Sequence, residues 1–223
     1  TLNRVLSRSY CGNYHAVDFL PLGIIYDTSV VVFGLSGFDQ FAILQSTFHE
    51  LWARTFGPAA MRNDMRYATK LCFETYPFPT PCITDKFCNL AEIGERYYQH
   101  RQLVMHSFHE GLTKIYNRFH DQTKTDEKIL RLRLLHAEID STVVAAYGWQ
   151  DLDLDHGFHE TKQGVRFTIS EAARREVLDR LLALNHQRHA EEEAERAAQS
   201  AATPVKRGRK KKDASDNQLL IDL

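Results

Sequence analysis

The sequence predicts an α+β protein: a small mixed-sheet domain, then a mainly α-helical domain and a disordered basic tail. Three observations support this class. Short β-branched and aromatic runs lie near the start of the chain, apolar residues recur at helical spacing from about residue 84 onward, and the end of the chain is dominated by charge. With 223 residues, 43% of them hydrophobic, the chain can bury a sizeable core. We expect domains at residues 1–82 and 83–198 and a tail at 199–223.

The first domain begins with strand-like sequence. The runs 19–26 and 29–33 are rich in β-branched and aromatic residues and flank Asp27-Thr28, which predicts a hairpin or strand pair. Asp39 is a suitable N-cap for one helix running to about Phe56, because apolar residues recur there at three- and four-residue spacing. We expect this helix to pack on the sheet.

Two irregular stretches follow. Residues 60–70 combine basic and amide side chains with an aromatic residue and no continuous apolar stripe, a composition typical of functional loops. Prolines at alternate positions, Pro77, Pro79 and Pro81, then exclude a helix or a central strand and end the first domain.

The second domain has clear helix signals. A helical stretch from about Thr84 is expected to break at Gly111, before a short second piece that runs through Phe119. Asp126 caps the next helix, which ends at Gly148. Residues 149–169 are irregular or form a small hairpin. Ser170 opens a last helix, which continues beyond Asn185 as a solvated extension.

Several kinds of chemistry are excluded by residue spacing. No two glycines are one residue apart and no glycine precedes a lysine, so dinucleotide and Walker A phosphate loops are excluded. The three His-Glu pairs lack a second histidine at the fourth position, which excludes the helical zinc motif. Glu160-Thr161-Lys162 resembles part of a nuclease metal site, but an exposed hairpin charge pair explains it better.

Five side chains with oxygen or nitrogen ligand atoms lie within residues 151–159, which raises the hypothesis of a metal site. Their spacing fits neither an EF-hand nor a zinc site, so we interpret the segment as a polar turn and predict no metal. The residues concerned are Asp151, Asp153, Asp155, His156 and His159.

Charge and cysteine content bear on nucleic-acid binding and on the cellular compartment. There are 28 basic and 29 acidic residues, so any nucleic-acid binding requires locally clustered charge. The longest apolar runs are too short to cross a bilayer, and four irregularly spaced cysteines without a secretion signal indicate reduced thiols. We therefore expect a soluble, cytoplasmic protein without a membrane contact.

The tail carries a dense basic block. Six positive charges fall within seven residues, which suits non-specific phosphate contact, although a solvated tail that aids solubility is an equal alternative. The residues are Lys206, Arg207, Arg209, Lys210, Lys211 and Lys212.

Seven segments in order resemble a known family over roughly residues 10–190. The segments are 19–23 (FLPLG), 45–54 (QSTFHELWAR), 64–67 (DMRY), 72–79 (CFETYPFP), 111–121 (GLTKIYNRFHD), 135–136 (LH) and 146–149 (AYGW). The first four are similar to the target recognition domain of the MmeI-like DNA adenine methyltransferases of type IIL and IIG restriction–modification and phage-defence systems. The last three resemble the helical domain that ends those proteins.

The resemblance implies a division of labour. Family members place an S-adenosylmethionine-binding methyltransferase domain, and often a nuclease, before these segments. This chain has no Pro-Pro dipeptide for the adenine-gripping loop and no glycine-rich cofactor turn. We therefore expect a non-catalytic specificity portion of a site-specific adenine methyltransferase, without a cofactor of its own. Its expected partners are double-stranded DNA and a methyltransferase domain in the same or a separate subunit.

Candidate DNA contacts lie mainly in the polar loop. Arginine can fork onto guanine, asparagine onto adenine, and lysine onto phosphate. A core role is an equal alternative for Tyr67, and Arg54 is first interpreted as a helix-surface partner of Glu50. Arg8, Tyr14 and His15 are weaker candidates. The full set of predicted contacts is Arg62, Asn63, Arg66, Tyr67, Lys70 and Arg54.

A different function is also compatible with the sequence. The chain could be a helical protein-interaction module that its basic tail tethers to DNA without base recognition. An autonomous enzyme is a third alternative, which requires measurable turnover.

Overall fold

The structure, a computed structural model, describes residues 2–58, 64–79 and 89–202. The described residues up to His186 form one compact unit, and those from Gln187 onward belong to a second. The predicted boundary near residue 82 lies outside the described residues and stays a prediction. The elements in order are β1 (Arg4–Ser9), β2 (Cys11–Gly12), β3 (Asp18–Pro21), β4 (Val30–Phe33), α1 (Phe38–Gln45), α2 (Thr47–Phe56), β5 (Met65–Arg66), α3 (Thr69–Cys72), α4 (Asn89–Phe108), α5 (Leu112–Phe119), α6 (Glu127–Tyr147), β6 (Gly157–Thr161), β7 (Gly164–Thr168) and α7 (Glu171–Ala202).

The α+β class is confirmed, with small sheets followed by helices. The main sheet has the order β3-β1-β4, and Leu6 of β1 lies opposite both Phe19 and Phe33. The described strand pairs are antiparallel, whereas the sequence predicts a mixed sheet. The predicted pairing of 19–26 with 29–33 is wrong, because β1 lies between β3 and β4. Strand β1 suits the central position of the sheet, because four of its six residues are buried: Val5, Leu6, Ser7 and Arg8.

The helix predicted from Asp39 to Phe56 is two helices. Ser46 is extended (φ −63°, ψ 157°), its Oγ donates to the Ile43 carbonyl at 2.7 Å, and it is the N-cap of α2. The first helix begins at Phe38 with Gly37 as N-cap, so Asp39 lies in the first turn rather than at the cap. The apolar face is nevertheless buried as predicted.

Three predicted helix boundaries of the second half, at Asp126, Gly148 and Ser170, are confirmed, whereas the predicted start near Thr84 lies outside the described residues. Asp126 accepts a hydrogen bond from the Lys128 amide at 2.9 Å, and Gly148 ends α6 with a φ of 76°. The Ser170 hydroxyl accepts from the Ala173 amide at 3.2 Å, at the start of α7. Strands β6 and β7 form the small hairpin that the sequence left as an alternative for 149–169.

One core runs from the first sheet into the helices. Helix α4 packs on both α1 and α6. At the α1 contact, a Cβ built on Gly94 would lie 2.2 Å from the Phe38 carbonyl oxygen, so only glycine permits this approach. Among the described residues, the structure contains no helix with the length and apolar content of a bilayer span.

The second unit is described only as the final part of α7. Side chains from His189 to Gln199 are exposed, as expected for a solvated extension, and Arg188 just before them is partly covered. The basic block at Lys206 to Lys212 lies outside the described residues.

Candidate nucleic-acid interface

The predicted DNA-contact loop ends in a two-residue ribbon formed by β2 and β5. Arg66 lies opposite Cys11 and Met65 opposite Gly12, and the Tyr67 amide donates to the Tyr10 carbonyl at 2.8 Å. Successive side chains of a strand point to opposite faces. Met65 and Tyr67 are therefore buried, while Arg66 faces solvent.

A second exposed cation follows on α3. Lys70 is solvent-exposed in this helix, whose Cys72 points into the core. Arg62 and Asn63 lie outside the described residues, and their predicted role stays a prediction. Arg66 and Lys70 are thus the members of the predicted loop that the structure places at the surface.

The structure contradicts the predicted DNA contact of Tyr67. Its side chain is fully buried and its hydroxyl lies 2.7 Å from His49 Nε2. The Arg8 guanidinium covers the ring at 4.6 Å from its centroid, and burial raises the pKa of the hydroxyl above its usual value. This ring is not available to stack on a base; it has the core role that the sequence left open.

Arg54 is engaged within the protein. Its Nε donates to Glu50 at 2.8 Å, one helical turn away, and its Nη2 donates to the Asn13 carbonyl at 2.7 Å. The side chain is only 17% exposed. The structure therefore favours the helix-surface pair over a DNA contact, and adds a bond that the sequence did not indicate.

A buried polar chain lies behind the ribbon. Arg8 Nη1 donates to His15 Nδ1 at 2.6 Å, and His15 Nε2 donates to the Leu44 carbonyl at 2.5 Å. Burial, aided by Arg8, lowers the pKa of His15 well below its usual value, so the ring is neutral and can accept from the guanidinium. Arg8 also approaches Met65 Sδ at 3.9 Å. Both Arg8 and His15 thus support the ribbon from inside and do not face a groove.

A cleft that the sequence did not predict lies in this unit, and Arg66 and Lys70 are not among its lining residues. It has a volume of about 670 Å³ and is bordered by α2, α5, the β6–β7 hairpin and the start of α7. Arg166 from the hairpin lies 4.8 Å above the Tyr14 ring and donates to Asn13 Oδ1 at 3.3 Å. The contacts that form the cleft join residues more than 100 positions apart, which no local pattern reveals.

The acidic and histidine segment at 151–159 has partners of its own. Asp151 forms a salt bridge with Arg180 at 2.6 Å, and His156 Nε2 lies 3.0 Å from the buried carboxylate of Asp140. The Asp155 amide donates to Asp153 Oδ1 at 3.2 Å. No group of metal-ligating side chains is found in the described part of the chain. These contacts agree with the polar-turn interpretation.

The segment that contains the ribbon and the main sheet is similar to a known protein family. Residues 4–80 match the family model described as "MmeI, target recognition domain". This segment is therefore similar to a target recognition domain of the MmeI type. It contains the main sheet, α1 to α3 and the surface that carries Arg66 and Lys70.

A solved structure extends the similarity beyond this domain. The chain is similar to the type IIL restriction–modification enzyme MmeI, solved in complex with DNA, with a TM-score of 0.54 and 20% sequence identity. The match covers 66% of this chain and 19% of that chain, and it shows a shared fold. The chain thus spans about a fifth of the length of that enzyme. A comparison with curated proteins finds no match.

Proposed function

We propose that these residues are the sequence-recognition portion of a restriction–modification enzyme, and that an adenine methyltransferase domain formed by other residues, in the same or a separate chain, modifies the DNA they hold. The observation that carries the proposal is the match of residues 4–80 to a target recognition domain. The exposed cations Arg66 and Lys70 within that segment support it, because DNA binding requires positive groups at the surface.

The proposed contacts divide into reading and positioning. Arg66, on the outer face of the ribbon, has the forked donor geometry that suits the guanine edge in the major groove. Lys70 supplies a point charge for a phosphate, which fixes register rather than sequence. The buried Arg8 and His15 hold the ribbon rigid from behind, and rigid support is what a base-reading side chain requires.

Catalysis is assigned to another domain. S-adenosylmethionine supplies the methyl group in the family that the sequence resembles, and this chain has neither the glycine-rich turn nor the Pro-Pro dipeptide of its catalytic domain. We propose no methyl transfer by these residues. Their role is to hold the duplex so that an adenine, flipped from the stack, reaches the other domain, whether in the same chain or a separate subunit.

Salt-dependent binding tests the proposed surface. Fluorescence anisotropy with a random-sequence duplex, measured at several salt concentrations, should show weaker binding by the double variant Arg66→Ala/Lys70→Ala. Each lost phosphate contact should reduce the slope of log affinity against log salt by about 0.9. The matched control Lys114→Ala/Arg131→Ala removes two exposed cations from α5 and α6 and should leave binding unchanged.

The tethering alternative gives the opposite pattern. If the chain is a protein-interaction module held by its tail, removal of residues 203–223 abolishes binding and the double variant binds like the unmodified chain. That result would refute the proposed surface. Under our proposal, tail removal weakens binding but leaves the loss caused by the double variant intact.

A further inference from the structure

The cleft of about 670 Å³ has the size and wall composition of a small-molecule site. Sites for small ligands typically measure about 300–1,000 Å³ and combine aromatic walls with a few polar groups. Here Tyr116 and Phe119 supply buried aromatic surface, and Thr47 and His136 supply buried polar atoms. Arg66 and Lys70 do not border this cleft, so it is separate from the proposed DNA surface.

The inner wall contains imidazole nitrogens without partners. Thr47 donates its hydroxyl proton to Asp140 Oδ2 at 2.7 Å, so its Oγ1 accepts from His136 Nε2 at 3.1 Å. Burial lowers the pKa of His136, which makes the ring neutral and leaves Nδ1 as a hydrogen-bond acceptor. His136 is only 6% exposed, and its Nδ1 is buried without a partner among the described residues.

His120 presents a second such group. Its Nδ1 is also buried without a partner in the described residues, and its ring stacks on Tyr14 with centroids 5.4 Å apart. Burial lowers the pKa of His120 to about 3, so this imidazole is neutral too. Buried polar atoms are nearly always hydrogen-bonded, and two residues of the cleft lining each have an imidazole nitrogen without a partner in the described residues, as His49 and Arg101 have an unpartnered nitrogen away from the cleft. The cleft thus has spare hydrogen-bonding capacity just behind its surface, which favours a ligand with polar edges.

Glu50 completes the inner set. Burial alone would raise the pKa of its carboxyl, but the charge and hydrogen bond of Arg54, together with smaller contributions from neighbouring groups, hold the pKa below its usual value. The carboxylate accepts from Arg54 through Oε1 and has further acceptor positions. An ionised carboxylate beside a neutral imidazole acceptor selects for a ligand that offers N–H donors, such as the ring N–H and amino group of guanine.

The rim of the cleft has positive charges. Lys162 and Arg175 are exposed there, and Lys162 forms no salt bridge with the described residues. Five lysines and arginines border the cleft against three glutamates. The lining cations are Arg54, Lys162, Arg166, Arg174 and Arg175, and the acids are Glu50, Glu160 and Glu171.

We propose that this cleft binds a nucleoside monophosphate unit, with its base against Glu50, His120 and His136 and its phosphate at Lys162. A base that carries a ring N–H donor, such as guanine, fits better than adenine, which has only the amino group. This inference is independent of the proposed reading of duplex DNA by Arg66. The unit is either a free nucleotide or a nucleotide within a single strand.

Isothermal titration calorimetry on the full chain tests the proposal. Guanosine 5′-monophosphate should bind more tightly than guanosine, inorganic phosphate or adenosine 5′-monophosphate. The variant His120→Phe keeps the stacked ring and removes the nitrogens; it should weaken binding by up to about tenfold, the value of one hydrogen bond. Lys162→Ala should weaken the nucleotide by at least about threefold without affecting guanosine.

Matched controls separate the cleft from general effects. Glu50→Gln should lower guanosine monophosphate affinity, whereas Glu138→Gln, which alters a comparable arginine pair outside the cleft, should not. Lys114→Ala serves the same purpose for Lys162→Ala. Circular dichroism checks that each variant is folded. The variant Thr55→Trp narrows the cleft at the exposed end of α2 and leaves the inner wall unaltered.

The outcomes are decisive in both directions. Binding of the free nucleotide that the cleft variants weaken supports a free ligand. Binding of a short guanine-containing single strand alone, with the same variant dependence, supports a nucleotide within nucleic acid. The proposal is overturned if neither binds at millimolar concentration, if inorganic phosphate binds as tightly as the nucleotide, or if the control variants have the same effect as the cleft variants.

Discussion

The buried Arg101 joins helix α4 to the end of α1 and to the residue before β3, largely through neutral hydrogen-bond acceptors. Arg101 of α4 is fully buried, donates to the Val17 carbonyl at 2.7 Å and to Gln45 Oε1 at 3.2 Å, and lies 3.4 Å from Asp18. Gln45 in turn accepts from the Val17 amide at 2.9 Å. Helix α4 thus fixes the backbone just before β3.

Replacing Arg101 should destabilise the protein. Arg101→Met keeps the aliphatic stem but leaves the Val17 carbonyl without a donor, which should cost on the order of 1–3 kcal/mol of unfolding free energy. Urea denaturation followed by circular dichroism measures the change. Arg131→Met, on the exposed face of α6, should change stability by less than about 0.5 kcal/mol. Equal effects of the two variants would contradict the bracing role.

Buried histidines make the fold sensitive to acid. Burial lowers the pKa of His15 and His49 well below the usual value, and the pKa of His136 is lowered as well. On acidification the unfolded chain therefore binds protons before the folded chain does. Stability is complete above about pH 6.5 and falls as the pH drops below it, by about 1.4 kcal/mol per pH unit for each histidine.

Denaturation at pH 7.5 and at pH 5.5 measures this loss. His49→Gln should remove about 1.4 kcal/mol of this loss in total, because the unfolded imidazole, with a pKa near 6.5, takes up most of one proton between the two pH values. His106→Gln makes the same substitution at an exposed position of α4 and should leave the pH dependence unchanged. Stability that is constant between the two pH values would show that these rings are not held neutral.

At the scale of elements, the fold depends on two close contacts between helices, one between α1 and α4 and one between α2 and α6. Helix α1 contacts α4 where Gly94 meets the Phe38 carbonyl. Helix α2 begins where the buried Asp140 of α6 accepts from the Thr47 amide at 2.8 Å, which places a carboxylate at the positive end of that helix. The break at Ser46 lets both helices make these contacts in different directions.

A methyl group at Gly94 should disturb the first contact. In Gly94→Ala the added Cβ meets backbone rather than a movable side chain, so the helices must shift, at about 1–3 kcal/mol of stability. Gly34→Ala, where a Cβ meets nothing within 4 Å, should be neutral or stabilising by up to about 1 kcal/mol. Thermal unfolding of both variants compares the two sites, and unchanged stability of Gly94→Ala would refute the close contact.

At the scale of the molecule, the sequence predicted what local chemistry determines. Caps at Asp126 and Ser170 and the glycine stop at Gly148 were readable because each is defined within a few residues. The strand order was not, because the pairing of β1 with two later strands is long-range. Ser46 was missed because the apolar spacing from Leu44 to Phe48 continues across it.

The candidate sites show the same limit. Arg66 and Lys70 could be proposed from composition and family resemblance, whereas the burial of Tyr67 depends on its contact with His49, 18 residues earlier. The cleft at His120 and His136 could not be found, since its walls come together only when the hairpin and α2 are folded. Surface exposure at the scale of the whole fold decided which predicted residues remain candidates.

Selection of bound sequences from a randomised duplex library is the most direct test of the proposed function. The full chain should enrich a short common sequence over successive rounds, and Arg66→Ala should relax the preference at a guanine position, at a cost of about 1–3 kcal/mol in discrimination. Binding that depends on salt yet enriches no sequence, or enrichment identical for Arg66→Ala and the unmodified chain, would contradict the account.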